Sequence, residues 1–197
     1  GIGYEAGGSI TTGIQNTLMG GLAGDALTDA DQNVAIGASS LTTDTLGTGA
    51  VAIGYAALNE QNFTTATTNY NVAVGYKAGE SVTTGIGNTL LGGLAGDALT
   101  DANYNVAVGK NALSTDTLGS FNTAVGINAL ETQNFTTATS AYNTAIGALA
   151  GGAVTTGIEN TIIGGRSGDA LTTGQENAVF GQQALSADTA GNHSTAI

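Results

Sequence analysis

NTLMGGLAGDALTDA at residues 16–30 returns with one change as NTLLGGLAGDALTDA at 88–102, and QNFTTAT at 61–67 returns at 133–139. Both returns are displaced by 72 residues. Inside that long period lies a shorter one. The pentad Asn-x-(small or aliphatic)-aliphatic-Gly begins at Asn16, Asn33, Asn71, Asn88, Asn105, Asn122, Asn143, Asn160 and Asn177, with degenerate copies at Ala50 and Ser194. Successive copies are 17 residues apart, except for two steps of 21, and three steps of 17 plus one of 21 make 72. A fixed period of this size marks a repeat architecture in which each unit stacks on its neighbours.

Numbering each unit from its Asn exposes the demands of one recurring local geometry. Position 5 is Gly: Gly20, Gly37, Gly54, Gly75, Gly92, Gly109, Gly126, Gly147, Gly164 and Gly181. Such a position suits a bend where a Cβ would clash or φ is positive. Position 13 is Thr in the 17-residue units: Thr28, Thr45, Thr83, Thr100, Thr117, Thr155, Thr172 and Thr189, with Thr11 in the partial first unit. Position 8 is Ala or Ser, position 9 is Gly or Leu, and position 4 is always apolar. Asn tolerates the left-handed region and can bond its own backbone, so position 1 reads as a corner. Stacked units would align these Asn and Thr side chains into ladders.

The unit is too short for a helix–turn–helix repeat, and Gly and Thr at every turn oppose helix. Seventeen residues suit two short strands and two turns, one coil of a β-solenoid. The expectation is an all-β, parallel β-roll across residues 1–197, about eleven coils forming a single repeat region. At a spacing of ~4.8 Å per coil the rod would be about 50 Å long. The four extra residues of the longer coils are expected to bulge out as loops, one about every 19 Å. The aliphatic at position 4 and the small residue at position 8 are expected to point inward, with modest help from positions 3, 9 and 12. The resulting core is thin, so a further interface is expected, with Gly at position 9 and the small position 8 allowing chains to approach. Both ends fall inside a repeat, so the chain is expected to be a piece of a longer fibre.

Composition narrows the function classes. The formal charge is −12, with Lys77, Lys110 and Arg166 the only basic residues besides His193. Nucleic-acid binding rests on Lys and Arg displacing counterions, so that partner is set aside. Membrane insertion is set aside too, because no apolar run approaches the length of a span. There is no Cys, hence no disulfide and no thiolate metal site. A lone histidine offers no partner for a serine nucleophile and reads as a surface turn residue.

The carboxylates were the remaining candidates for chemistry. Asp25, Asp29 and Asp31 cluster in GDALTDAD, and Asp97 and Asp101 follow one long period later. Calcium needs six to eight oxygens, and this spacing matches neither an EF-hand loop nor the calcium-binding nonapeptide. A structural calcium is therefore the minor reading and solvated turns the major one. Asp44, Asp116 and Asp188 occupy position 12, alternating with Leu or Val in neighbouring coils, and read as turn or capping residues. No cofactor and no catalytic residue is assigned. The sequons at Asn62, Asn134 and Asn192 read as by-products of the repeat. The aromatics Tyr55, Tyr76, Tyr104, Phe121, Tyr142, Phe63 and Phe135 read first as packing, second as a glycan- or protein-binding surface.

The pentads NVAIG (33–37), NVAVG (71–75 and 105–109), NTAVG (122–126) and NTAIG (143–147) resemble the head repeats of YadA-like trimeric autotransporter adhesins. They also look like the NTAVG-type repeats of phage tail fibres and bacterial surface fibres. The resemblance covers the whole chain. It implies a left-handed parallel β-roll, three rolls joined as a homotrimer, and an extracellular, cell-surface or virion location, although the adhesin coils are shorter. The expected function is a structural shaft or head segment of a fibre used for adhesion, self-associating as a trimer or end-to-end filament and contacting a cell-surface receptor or glycan. An ice-binding solenoid is the alternative, since position 13 supplies one Thr ladder, but a regular Thr-x-Thr pair per coil is missing. A glycan-degrading fibre enzyme is disfavoured because identical repeats supply no unique polar cluster.

Overall fold

The computed structural model describes residues 1–197, and it contains strands and turns with no helix. The strands in chain order are Thr17–Met19 (β1), Val34–Ile36 (β2), Gly47–Thr48 (β3), Val51–Ile53 (β4), Thr67–Thr68 (β5), Val72–Val74 (β6), Thr89–Leu91 (β7) and Val106–Val108 (β8). There follow Gly119–Ser120 (β9), Thr123–Val125 (β10), Thr139–Ser140 (β11), Thr144–Ile146 (β12), Thr161–Ile163 (β13), Ala178–Phe180 (β14) and Thr195–Ala196 (β15). Eleven of them form one parallel sheet in the order β1-β2-β4-β6-β7-β8-β10-β12-β13-β14-β15. The chain is thus a β-solenoid of about eleven turns, and positions 2–4 of each repeat unit supply the sheet.

Register follows the repeat. Leu18 lies beside Ala35, Ala35 beside Ala52, and Ala52 beside Ala73 across the first long coil. Two two-stranded sheets, β3–β5 and β9–β11, form only where a 21-residue coil stacks on its predecessor. The extra residues therefore do not simply bulge. Phe63 and Phe135 are buried, Thr67–Thr68 and Thr139–Ser140 pair back onto the preceding coil, and Thr64, Thr65, Ala66 and their second copies form the exposed tip of the insertion.

The core lies on the other side of the sheet from the one expected. Position 3 points inward: Leu18, Ala35, Ala52, Ala73, Leu90, Ala107, Ala124, Ala145, Ile162 and Val179 are all buried. Position 4 points outward with position 2, as the alternation of a strand demands; Met19, Ile146 and Phe180 are 45%, 39% and 40% exposed. The interior is lined by positions 3, 8, 9 and 12. The small position 8 (Ala23, Ser40, Ala57 and their successors) and the Gly of position 9 thus serve close packing within the chain, not approach of another chain.

Volume is balanced across this narrow interior. Where position 3 is Leu18, Leu90 or Ile162, position 9 of the same coil is Gly24, Gly96 or Gly168, and a Cβ there would meet that side chain at 2.9, 2.7 or 3.3 Å. Where position 3 is Ala35, Ala52, Ala107 or Ala124, position 9 is a buried Leu41, Leu58, Leu113 or Leu130. The coil built on Asn71 is small at both places, Ala73 and Gly79, and is filled by Leu58 from one neighbour and Leu90 from the other. Interiors are packed to crystal-like density, and here that rule is met by exchange between coils.

Candidate functional site

The repeated polar residues are structural in their geometry. Eight of the Asn side chains at position 1 donate Nδ2–H to the carbonyl at position 15 of their own coil, at 2.7–2.9 Å, as Asn33 does to Gly47 and Asn88 to Ala102. Each Asn Oδ1 accepts the backbone N–H one coil on; Asn105 N–H to Asn88 Oδ1 is 3.0 Å. One side chain therefore closes its own coil and ties it to the next, and both polar atoms of each such amide find a partner. The left-handed residue is not the Asn. It is the one before it, whatever its type: Gln15, Gln32, Tyr70, Tyr104, Phe121, Tyr142, Glu159, Glu176 and His193 all have φ between 51° and 64°.

The anomaly at Ala50 has a local cause. In a 21-residue coil the inserted residues displace the carbonyl that position 1 would hold, and Asn122, the equivalent residue, has only Asn105 Oδ1 at 3.2 Å for its Nδ2. Ala50 still donates its N–H to Asn33 Oδ1 at 2.8 Å. Having no oxygen to pass on, it is relieved by Asn69, whose Oδ1 accepts Asn71 N–H at 2.9 Å.

At position 5 the glycines are obligatory. Gly20 to Gly164 have φ of +131° to +144°, and a Cβ on any of them would lie 2.3–2.6 Å from the carbonyl oxygen of the next glycine in the column. At position 13 the hydroxyls point along the axis. Thr28, Thr100, Thr155 and Thr172 donate to the carbonyl of the Thr one coil on at 2.7–3.2 Å, Thr45 and Thr117 to Phe63 and Phe135, and Thr83 to Asp101 Oδ1.

Two buried acid–amide clusters stand out, 72 residues apart. Asp44 and Asp116 are fully buried, and each accepts the backbone N–H three residues on, as the capping reading expects. Asp44 Oδ1 accepts Gly47 N–H and Phe63 N–H, both at 3.0 Å, and Oδ2 accepts Gln61 Nε2 at 2.6 Å. Gln61 Oε1 in turn accepts Asn71 Nδ2 at 2.9 Å. Asp116 repeats the arrangement with Gly119, Phe135 and Gln133, and Gln133 with Asn143. Burial pushes the Asp44 carboxyl above its ordinary range, against the opposing pull of Gln61 and the amides.

Elsewhere the acids are half-buried or exposed. Asp97 is pushed up to about 6, first by burial and then by the charge of Glu80; its Oδ1 is buried without a partner. Asp101 is held below the ordinary range by the hydroxyls of Thr84 and Thr83. No three acidic or histidine side chains converge as metal ligands would. His193 Nδ1 lies 3.1 Å from Glu176 Oε2 on the surface. A small polar hollow is bounded by Glu5, Gly8, Ser9 and Asp25. The aromatics pack on one another: Tyr55 stacks on Tyr76, and Tyr104, Phe121 and Tyr142 stack with centroids 5.4 and 5.1 Å apart.

The most extended surface feature is the outer face of the eleven-stranded sheet. It consists of positions 2 and 4: Thr, Val or Ala in the first column, and Met19, Ile36, Ile53, Val74, Leu91, Val108, Val125, Ile146, Ile163 and Phe180 in the second. None of these residues is buried and none is charged. All fifteen acids occupy positions 7, 10–12, 14, 16 or 17 of their coils. At three residues of ~3.3 Å by eleven coils of ~4.8 Å, the face covers roughly 500 Å². No helix is long and apolar enough to cross a membrane. The chain matches no family model, no curated protein and no solved structure.

Proposed function

We propose that this chain is a structural shaft or head segment of an extracellular or virion-borne fibre used for adhesion or surface attachment, and that it assembles laterally as a homotrimer. The observation that carries the reading is the uncharged outer sheet face, apolar along position 4 and Thr, Val or Ala along position 2, continuous over the solenoid's length on a chain of charge −12. A contiguous patch of a few hundred Å² is often functional. A second copy fits the face for a physical reason. Only an object with the same rise of ~4.8 Å per coil keeps side chains in step along the rod. Copies meeting here also keep their acids apart. The resemblance of the pentads to trimeric adhesin heads supports the number three. The direction of the Thr hydroxyls favours a fibre over an ice-binding solenoid, because they are spent on axial carbonyls. A receptor or glycan contact belongs to the exposed loop residues around Thr64 and Thr136.

Sedimentation equilibrium of the chain tests this. A mass three times 19.2 kDa is expected. The double variant Ile53→Lys, Val108→Lys, altering outward side chains only, is expected to sediment as a monomer with an unchanged β spectrum. A monomeric parent overturns the trimer, and thermal hysteresis in that monomer would move the reading to ice binding.

A further inference from the structure

The ladders that hold the coils together are blind to which coil follows which. Asn at position 1, Gly at 5, Ala or Ser at 8 and Thr at 13 recur in nearly every coil. A chain that skipped one coil while folding, pairing β2 with β6 and looping out the residues between, would still find these partners. It would forfeit one coil of stacking yet remain well bonded, which is the description of a kinetic trap.

Position 12 is not blind. Along the axis the column reads Leu27, Asp44, Gln61, Val82, Leu99, Asp116, Gln133, Val154, Leu171, Asp188, a four-coil phase matching the 72-residue period. The hydrogen bonds across it run in one direction over three consecutive coils, from Asn71 to Gln61 to Asp44, and again from Asn143 to Gln133 to Asp116. Their polarity cannot be reversed. Asn71 Nδ2 also donates to Gly85 O, so it presents a donor to Gln61, and Gln61 must turn its own amide hydrogens toward Asp44.

We infer that the Asp44–Gln61–Asn71 and Asp116–Gln133–Asn143 clusters are register locks, which reject misphased coil stacking during folding. With the coil of Gln61 skipped, Asp44 would face Val82. It would lose Gln61 Nε2 and Phe63 N–H, leaving a buried carboxylate with Gly47 N–H alone. A buried charge stripped of partners is among the most costly states a core can hold. The clusters also sit where the insertion makes skipping most tempting, since the longer coil is the one whose closure by position 1 is lost, through Ala50 in one copy and Asn122 in the other. A single polar core residue fixing register is known physics in coiled coils; here it acts once per four coils.

The test uses the whole chain, refolded from denaturant and read by hydrogen exchange on peptides. The variant Asp44→Leu, Gln61→Leu makes the first cluster apolar like its neighbours and leaves the second as an internal reference. The expected result is two resolved isotopic envelopes for peptides within 44–71, native and trapped, with several-fold slower recovery of the native one. Peptides within 116–143 should show one envelope. Asn88→Ala, which weakens a phase-blind ladder, should exchange faster but as one envelope throughout. A single envelope at 44–71 in the double variant, whether merely faster or wholly unprotected, overturns the inference and leaves the cluster as a stabilising contact only.

Discussion

Gly92 and Gly93 are adjacent, and the structure assigns them opposite responses to the same methyl group. Gly92 has φ of +138°, and a Cβ there would lie 2.6 Å from Gly109 O, 2.7 Å from Gly109 C and 3.2 Å from Lys110 N. All three are backbone atoms of the next coil, so no side chain can swing aside. The conformation alone costs an alanine about 1–3 kcal/mol. Relieving the contact requires the coils to part locally by about half an ångström, which weakens the bonds flanking the site, Gly109 N–H to Leu91 O at 2.8 Å and Asn111 N–H to Gly93 O at 3.1 Å. At ~1 kcal/mol net for each bond, Gly92→Ala should destabilise by about 3–5 kcal/mol. Gly93 has no positive φ, and its Cβ would meet only Tyr76 O at 3.9 Å. Gly93→Ala should be neutral or stabilise by roughly 0.4–1 kcal/mol through the unfolded chain. Solenoid stability is a sum of neighbour terms, so urea unfolding should be accompanied by hydrogen exchange on peptides covering 89–111. Loss of protection centred there is expected for Gly92→Ala alone. Equal effects of the two substitutions would refute the view that axial close approach, rather than chain flexibility, selects glycine at position 5.

Three further outcomes are expected. Asp97 holds its proton more tightly folded than unfolded, so its contribution to stability is fully present below pH 3.8 and is lost as pH rises through about 6. Melting between pH 4.5 and 7.5 should therefore show a decline that Asp97→Asn flattens. Asp101 has the opposite sign: its contribution is present above pH 3.8 and lost as pH falls below it, and Thr84→Ala should shrink that acid-side loss. Leu90→Ala, at a fully buried position between Gly79 and Gly96, should cost about 2–5 kcal/mol by denaturant unfolding, whereas its outward neighbour Leu91→Ala should leave monomer stability within about 0.5 kcal/mol.

The solenoid was legible because a period is independent of any single residue's preference. Facing was not, and the reason is the width of the coil. Position 4 is apolar in every coil, from Val to Phe, and looked like the core; position 3 is often only Ala and looked like filler. In a globular core the larger residue would point in. Here opposite walls are so close that position 3 takes Leu only where position 9 is Gly, as for Leu18 with Gly24 and Leu90 with Gly96, and Leu41, Leu58, Leu113 and Leu130 fill position 9 where position 3 is Ala. Uniformity at position 4 thus reports a surface that repeats, and mixture at positions 3 and 9 reports a core that trades volume.

The corners misled for a related reason. Residue preference for positive φ is a few tenths to a couple of kcal/mol, and it points to Asn and Gly. Yet Leu41, Leu58, Leu113, Leu130, Tyr104 and Phe121 all adopt it, while the repeated Asn does not. Leu58 N–H bonds Ala78 O and Tyr104 N–H bonds Ile86 O in neighbouring coils, and every stacked coil repeats such bonds. Cooperative axial bonding therefore overrides local preference, and Asn is kept for a task no other side chain performs: an acceptor for the next coil and a donor to its own, from one buried amide. The same logic separates Asp44 from the acids of the surface. A residue present in every coil serves stacking, whereas one present in every fourth coil carries information that stacking itself cannot supply.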